Sequence, residues 1–385
     1  MSTDDFSRVL DDIAPSGIRR FFDLVIGRKD ILSLGVGEPD FTTPWHIRET
    51  GIFSLENGIT SYTSNRGLQE LRVEIGQYMK NRFGVSYDPD TEMVITVGVS
   101  EGVDITLRAI LNPGDEVIIP QPAYVCYDPL VKLAGGVVKS INTCSDDFVV
   151  TAAKVEKAIT KKTKALVLCS PNNPTGRVIP KAELKKIAAL AKKHDFWVIS
   201  DEIYAELTYD QEYTSFASLP GAKERTILMN GFSKAFAMTG WRIGYICAPE
   251  AVVSRALKIH QYSILCAPIL GQYAAIEALR NGEKEVKEMT QSYMRRRNFF
   301  VAGLRKIGFP VPDCEGAFYC FPDIRFTGLT SEEFAMKLLE SQKVAVVPGT
   351  AFGDCGEGYI RCCYAASMEN LQEALKRIER FISTL

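Results

Sequence analysis

Between residues 92 and 248, short apolar runs alternate with segments whose apolar residues recur at helical spacing. Met93–Val97, Glu116–Ile119, Val137–Ile141, Lys164–Cys169, Phe196–Ser200 and Ile227–Met229 are rich in β-branched or aliphatic residues and too short for helices, so each predicts a buried strand. Between them, Val103–Leu111, Tyr127–Ala134 and Lys181–Lys193 predict helices; in the last, Leu184, Ile187, Ala188 and Ala191 share one face. Strands alternating with amphipathic helices imply βαβ units and a mostly parallel sheet.

The flanks differ in texture. Upstream, IRRFFDLVIG (18–27) and LQELRVEIGQYMKNRF (68–83) read as helices, the second with Leu68, Leu71, Ile75 and Met79 on one face. Downstream, helical patterns dominate 249–307, including a charged face over Glu283–Arg297. Strands over Gly316–Pro322, Val344–Val347 and Tyr359–Tyr364, with helices at Ser331–Leu339 and at the end of the chain, suit a smaller α+β domain. The expected division is an N-terminal segment (1–44) packing with the small domain, a large domain (45–280) and a small C-terminal domain (281–385).

Composition narrows the function classes. A net charge of −2 leaves no overall attraction for nucleic acid or an anionic membrane surface. No run of 18 apolar residues occurs, and the first residues are acidic where a secretory signal is basic, so a cytoplasmic location is expected. Ten scattered cysteines without a CxxC pair suit buried thiols in a reducing compartment, and three separated histidines give no metal spacing, so no metal is expected.

Candidate chemistry gathers at the ends of the predicted strands, which in a parallel sheet face one crevice. The small-residue turn Gly98–Gly102 opens a helix, whose free N–H groups and positive dipole end favour phosphate. The rigid SPNNPTG (170–176) presents Asn173, SDEIY presents Asp201 and Tyr204, and NGFSKAFAMTGWRIGY presents Ser233, Lys234 and Arg242. A neutral lysine amine attacks aldehydes to form an imine, which arginine cannot do. Pyridoxal phosphate offers an aldehyde, a phosphate, a phenolic oxygen and a ring nitrogen, and this set has a partner for each: Lys234; then Ser233, Arg242 and the helix start; then Tyr204 and Asn173; then Asp201.

These motifs, with GVGEPDF, YTSNRGLQELR, PQPAYVCY, GAFYCFP, VVPGTAFG and GYIRCCYA, resemble the class I/II aminotransferases over nearly the whole chain, nearest the aromatic and aspartate branch. The resemblance implies the pyridoxal-phosphate fold type I: a mostly parallel seven-stranded sheet between helices, plus a smaller α+β domain. It implies that Lys234 bears the cofactor covalently, that Asp201 pairs with the ring nitrogen, and that Tyr204 and Asn173 face the phenolic oxygen. Ser233, Arg242 and the backbone of Gly98, Val99 and Ser100 match the phosphate cup, and Tyr124 matches the aromatic residue stacked on the ring. Tyr62 matches a tyrosine that reaches the neighbouring subunit's cofactor phosphate, implying a homodimer with shared sites. Arg361 matches the arginine that takes the substrate α-carboxylate, with Asn173 and the Gly37 loop beside it.

The implied reaction moves an amino group from an L-amino acid to a 2-oxo acid in two half-reactions, with aromatic or broad donor preference, aspartate next, and 2-oxoglutarate as acceptor. A carbon–sulfur β-lyase of the same fold is the alternative. A dinucleotide oxidoreductase is disfavoured, because no GxGxxG opens a helix after a strand.

Overall fold

The computed structural model describes residues 7–15, 17–18, 27–28 and 30–385. The helix expected over 18–27 falls almost wholly outside the described residues. In chain order the strands are β1 (Leu32–Ser33), β2 (Met93–Thr96), β3 (Glu116–Gln121), β4 (Val137–Asn142), β5 (Thr163–Cys169), β6 (Trp197–Asp201), β7 (Thr226–Gly231), β8 (Gly244–Cys247), β9 (Tyr319–Cys320), β10 (Val344–Ala345), β11 (Val347–Pro348) and β12 (Ile360–Cys363).

β2 to β8 form a seven-stranded sheet in the order β2-β8-β7-β6-β5-β3-β4. Only β8 runs against the others. Its reversal has a local cause. The connection from β7 contains one 3-10 turn, Thr239–Trp241, and no helix to carry the chain back across the sheet, so it folds over and re-enters antiparallel. Both limbs of that loop therefore stay at the end of the sheet where β5 and β6 also finish.

The helices are α1 (Trp45–Glu56), α2 (Gln69–Phe83), α3 (Gly98–Ile110), α4 (Tyr127–Leu133), α5 (Ala152–Ala158), α6 (Lys181–His194), α7 (Glu250–Ser263), α8 (Ile269–Asn281), α9 (Glu283–Ile307), α10 (Ser331–Gln342) and α11 (Met368–Ile382). No helix among the described residues is long and apolar enough to cross a membrane. α11 shows why the closing segment is helical: Leu371, Ala374, Leu375, Ile378 and Phe381 form one buried stripe, and the Ser367 hydroxyl caps its first turn. Gly303 of α9 lets the two helices approach, since a Cβ there would collide with the Leu375 side chain.

Four expectations need correction. The turn Gly98–Gly102 is already helical, the first turn of α3. The strand expected over Val344–Val347 is split: Val344–Ala345 pairs in parallel with β1, and Val347–Pro348 pairs with β12 in a separate three-stranded sheet completed by β9. The strand expected over Gly316–Pro322 is reduced to Tyr319–Cys320. α1 and α5 carry no clear apolar stripe in the sequence and were not expected. α1 buries only Ile47, Gly51 and Ser54, while Trp45, Ile52, Phe53 and Leu55 lie exposed.

Candidate active site

A cavity of about 360 Å3 lies at the ends of β5, β6 and β7, between the start of α3 and β9 and β12. Gly37, Val99, Ser100, Tyr124, Asn173, Asp201, Tyr204, Ser233, Lys234, Arg242 and Arg361 all line it. Gly98 stands just behind the wall. Tyr62 does not reach this cavity; it is 83% exposed on the surface of the chain.

Asp201 ends β6 between Cys169 of β5 and Met229 of β7. It is 4% exposed. Its Oδ2 accepts from the Tyr127 hydroxyl at 2.6 Å and its Oδ1 from the Ile203 amide at 3.2 Å. Burial raises its pKa to about 6 against the pull of these donors and of Lys234. At neutral pH the cavity floor thus holds a carboxylate with few donors, suited to a cationic N–H.

Lys234 stands on the first limb of the β7–β8 loop, and its Nζ donates to the Gly37 carbonyl at 2.7 Å. Burial lowers its pKa to about 8, with Arg361 and Arg242 adding to the effect. A substantial share of the amine is therefore neutral and nucleophilic near physiological pH.

Arg242 ends the same loop with φ +55° and donates to the Thr239 carbonyl at 3.1 Å and the Val97 carbonyl at 3.4 Å. A Cβ at Gly98, φ +74°, would strike its guanidinium, and a Cβ at Gly244 would lie 2.7 Å from the Gly98 carbonyl carbon. Two glycines thus let the start of α3 press against β8 and the arginine. Glu101 accepts the Val97 amide, whereas the next amides of α3 have no intrahelical acceptor. With Ser233, this makes an anion cradle of a hydroxyl, a guanidinium and backbone N–H groups.

Arg361 is 1% exposed on β12. Its Nη1 donates to Asn173 Oδ1 at 3.0 Å and its Nη2 to the Gly35 carbonyl at 2.6 Å, between the rings of Tyr319 and Phe352 at 4.5 and 4.9 Å. Among the described residues its buried Nε has no partner. An unpaired donor on a fixed, buried cation fits an incoming carboxylate. Together, the anion cradle, the floor carboxylate, the neutral amine and this unsatisfied guanidinium fit pyridoxal phosphate with an amino acid beside it.

Two contributors escaped the sequence reading. Tyr127 orients Asp201, and the Tyr319 hydroxyl bonds the Tyr204 hydroxyl at 2.9 Å and donates to Gly37 at 3.3 Å. Both lie in motifs noted for other residues, PQPAYVCY and GAFYCFP; the only sequence signal was a tyrosine hydroxyl inside an otherwise apolar run.

Comparison with known proteins agrees with this chemistry. The family model for "Aminotransferase class I and II" matches residues 29–378. YugH of Bacillus subtilis, an aminotransferase-family protein, is 57% identical over 99% of both chains. An aspartate aminotransferase of Pyrococcus abyssi is 46% identical over 97% of each. The solved structure of an aromatic aminotransferase from Pyrococcus horikoshii superposes with a TM-score of 0.90 at 44% identity, over 95% of this chain and 99% of that one. The chain belongs to the class I and II aminotransferases and has their pyridoxal-phosphate fold type I: it is an enzyme that uses pyridoxal phosphate to transfer an amino group from an amino acid to a 2-oxo acid.

Proposed function

We propose that Lys234, Asp201, Tyr204 and Arg361 are the working residues of this aminotransferase, with an aromatic or broad range of L-amino acid donors and 2-oxoglutarate as acceptor. The observation that carries the reading is the convergence in one cavity of a lysine poised near neutrality, a buried carboxylate and a guanidinium with a free donor. Pyridoxal phosphate supplies an aldehyde that condenses with amines and a ring that takes up the electrons released at the substrate Cα.

The protein's share follows from its own groups. Ser233, Arg242 and the amides of Gly98, Val99 and Ser100 would hold the phosphate, and Tyr124 would cover one face of the ring. Asp201, kept in position by Tyr127, holds a proton at the ring nitrogen. Tyr204, braced by Tyr319, and Asn173 would meet the phenolic oxygen. Arg361 grips the substrate α-carboxylate with two parallel donors and so fixes the direction of the Cα–H bond; Asn173 and Gly37 border that carboxylate. Lys234 Nζ takes the Cα proton and carries it.

Donor preference is read from the wall. Ile18, Val36 and Val125 line the cavity, and its only cations among the described residues are Lys234, Arg242 and Arg361, each already assigned a role. A second substrate carboxylate would draw its cation from outside this set. The test is an assay of purified enzyme with 2-oxoglutarate against a panel of L-amino acids. Phenylalanine and tyrosine should exceed aspartate in kcat/KM; strong preference for aspartate, or pyruvate release from cysteine conjugates without an acceptor, would overturn the reading.

The enzyme is proposed to act as a cytoplasmic homodimer. The ten cysteines are all free, which suits a reducing compartment. Trp45, Phe53, Leu55, Tyr62, Tyr262 and Ile264 are exposed, and Asn65 ties the Tyr62 segment to the Leu265 carbonyl at 2.8 Å, a combination that supports one apolar patch for a second copy. The division into 1–44, 45–280 and 281–385 is retained as a proposal, supported by the β1–β10 pairing and by the break between α8 and α9 at Gly282.

A further inference from the structure

Outside the cavity, two thiols distant in sequence lie together. Cys144 begins the 3-10 turn Cys144–Asp146 after β4, and Cys355 sits in the turn Asp354–Gly356 between β11 and β12. Cys144 Sγ donates to the Cys355 carbonyl at 3.0 Å. Both are half-buried and unbridged. A second cleft, about 490 Å3 and bordered by Phe148, Arg305, Asp323 and Tyr359, opens onto Cys144. The neighbouring Cys355 side chain, aided by the charges of Lys154 and Arg325, holds the Cys144 thiol below its usual pKa, while the proximity of Cys144 and burial push Cys355 up. That asymmetry suits an attacking thiolate beside a resolving thiol.

We propose that Cys144 and Cys355 form a modification site for small peroxides, which convert the pair to a disulfide tying the turn after β4 to the loop before β12. Cys144 thiolate attacks one peroxide oxygen; the O–O bond breaks, hydroxide leaves, and Cys144 becomes a sulfenic acid. Cys355 sulfur then attacks the Cys144 sulfur, the S–O bond breaks, and water leaves with the Cys355 proton. The peroxide gains two electrons and the thiol pair loses two. The bond matters to the active site because the loop it tethers contains Phe352, whose ring lies against Arg361 and whose carbonyl accepts the Ala123 amide at 2.9 Å, next to Tyr124. A tethered loop holds Arg361 and Tyr124 in one arrangement through both half-reactions and slows turnover.

The test uses full-length holoenzyme treated with hydrogen peroxide, then alkylated in denaturant and digested. Two fewer thiols than the ten of the reduced chain should be alkylated, with one peptide pair joining Cys144 to Cys355. Turnover should fall several-fold and return with dithiothreitol. Cys144→Ser and Cys355→Ser should each keep their untreated rate after peroxide, and Cys355→Ser should leave a dimedone-reactive Cys144. A bridge between other cysteines, ten alkylated thiols, or a Cys144–Cys355 bridge without loss of turnover overturns the proposal.

Discussion

At the scale of single residues, the roles proposed for Lys234 and Arg361 separate cleanly. Lys234→Ala removes the only amine in the cavity among the described residues, so turnover should fall by at least about a thousandfold and the visible absorbance of the bound cofactor should be lost. A variant that keeps normal turnover would refute the assignment. Arg361→Ala should raise KM for donor and acceptor alike, because both carry an α-carboxylate, by roughly tenfold to a hundredfold, the range for a lost charged hydrogen bond. Unchanged KM for either partner would move that role elsewhere. Burial sets the pH response: protonated Lys234 is inert toward an aldehyde, so the rate at which cofactor-free enzyme binds pyridoxal phosphate should climb with pH and level off above about 8. A flat stopped-flow profile between pH 6 and 9 would count against that lowered value.

At the scale of elements, the end of β6 carries a second buried acid with a different part. Glu202, beside Asp201, accepts at one oxygen from Ser200 at 2.9 Å and from the Ser215 hydroxyl and Phe216 amide at 3.0 Å. Burial raises its pKa to about 7 from 4.5. A raised acid binds more protons folded than unfolded, so its stabilising contribution is complete below pH 4.5 and is lost as pH rises through 7. Glu202→Gln avoids that ionisation, and its melting temperature relative to wild type should rise between pH 5 and 8, by an amount on the order of 3 kcal/mol in stability. A difference that stays constant with pH would mean Glu202 is not titrating in the fold.

Elements also show what the sequence could disclose. The strands of the large sheet were legible because apolar runs flanked on both faces by helices leave a continuous signal. α1 was not, because its apolar residues point outward, and Val344–Val347 was joined because two consecutive short strands in different sheets share one run of letters. Eleven of the residues lining the cavity could be named from motifs, whereas Tyr127 and Tyr319 gain their meaning only from the neighbours that the fold gives them.

Across the whole molecule, the exposed position of Tyr62 gives a test of site sharing. If each Tyr62 serves its partner's cavity, mixing Tyr62→Ala with Lys234→Ala protomers should restore activity, since one site of the hybrid then has an intact Lys234 and an intact Tyr62 from the other chain. Co-expression with two affinity tags isolates the hybrid; activity no greater than the sum of the parents would exclude sharing through Tyr62.

The contact of Gly98 with Gly244 and Arg242 bears on how such an enzyme changes over evolutionary time. There the start of α3, the backbone proposed to hold the phosphate, and the lysine loop are set against each other with almost no side chain between them, so little in that layer can be substituted without overlap. Elsewhere the cavity is lined by ordinary side chains such as Ile18, Val36 and Val125. On the assignments proposed above, cofactor chemistry and substrate choice rest on different layers of the cavity. A lineage can drift from one amino acid to another by repainting the wall, while the cofactor layer stays fixed.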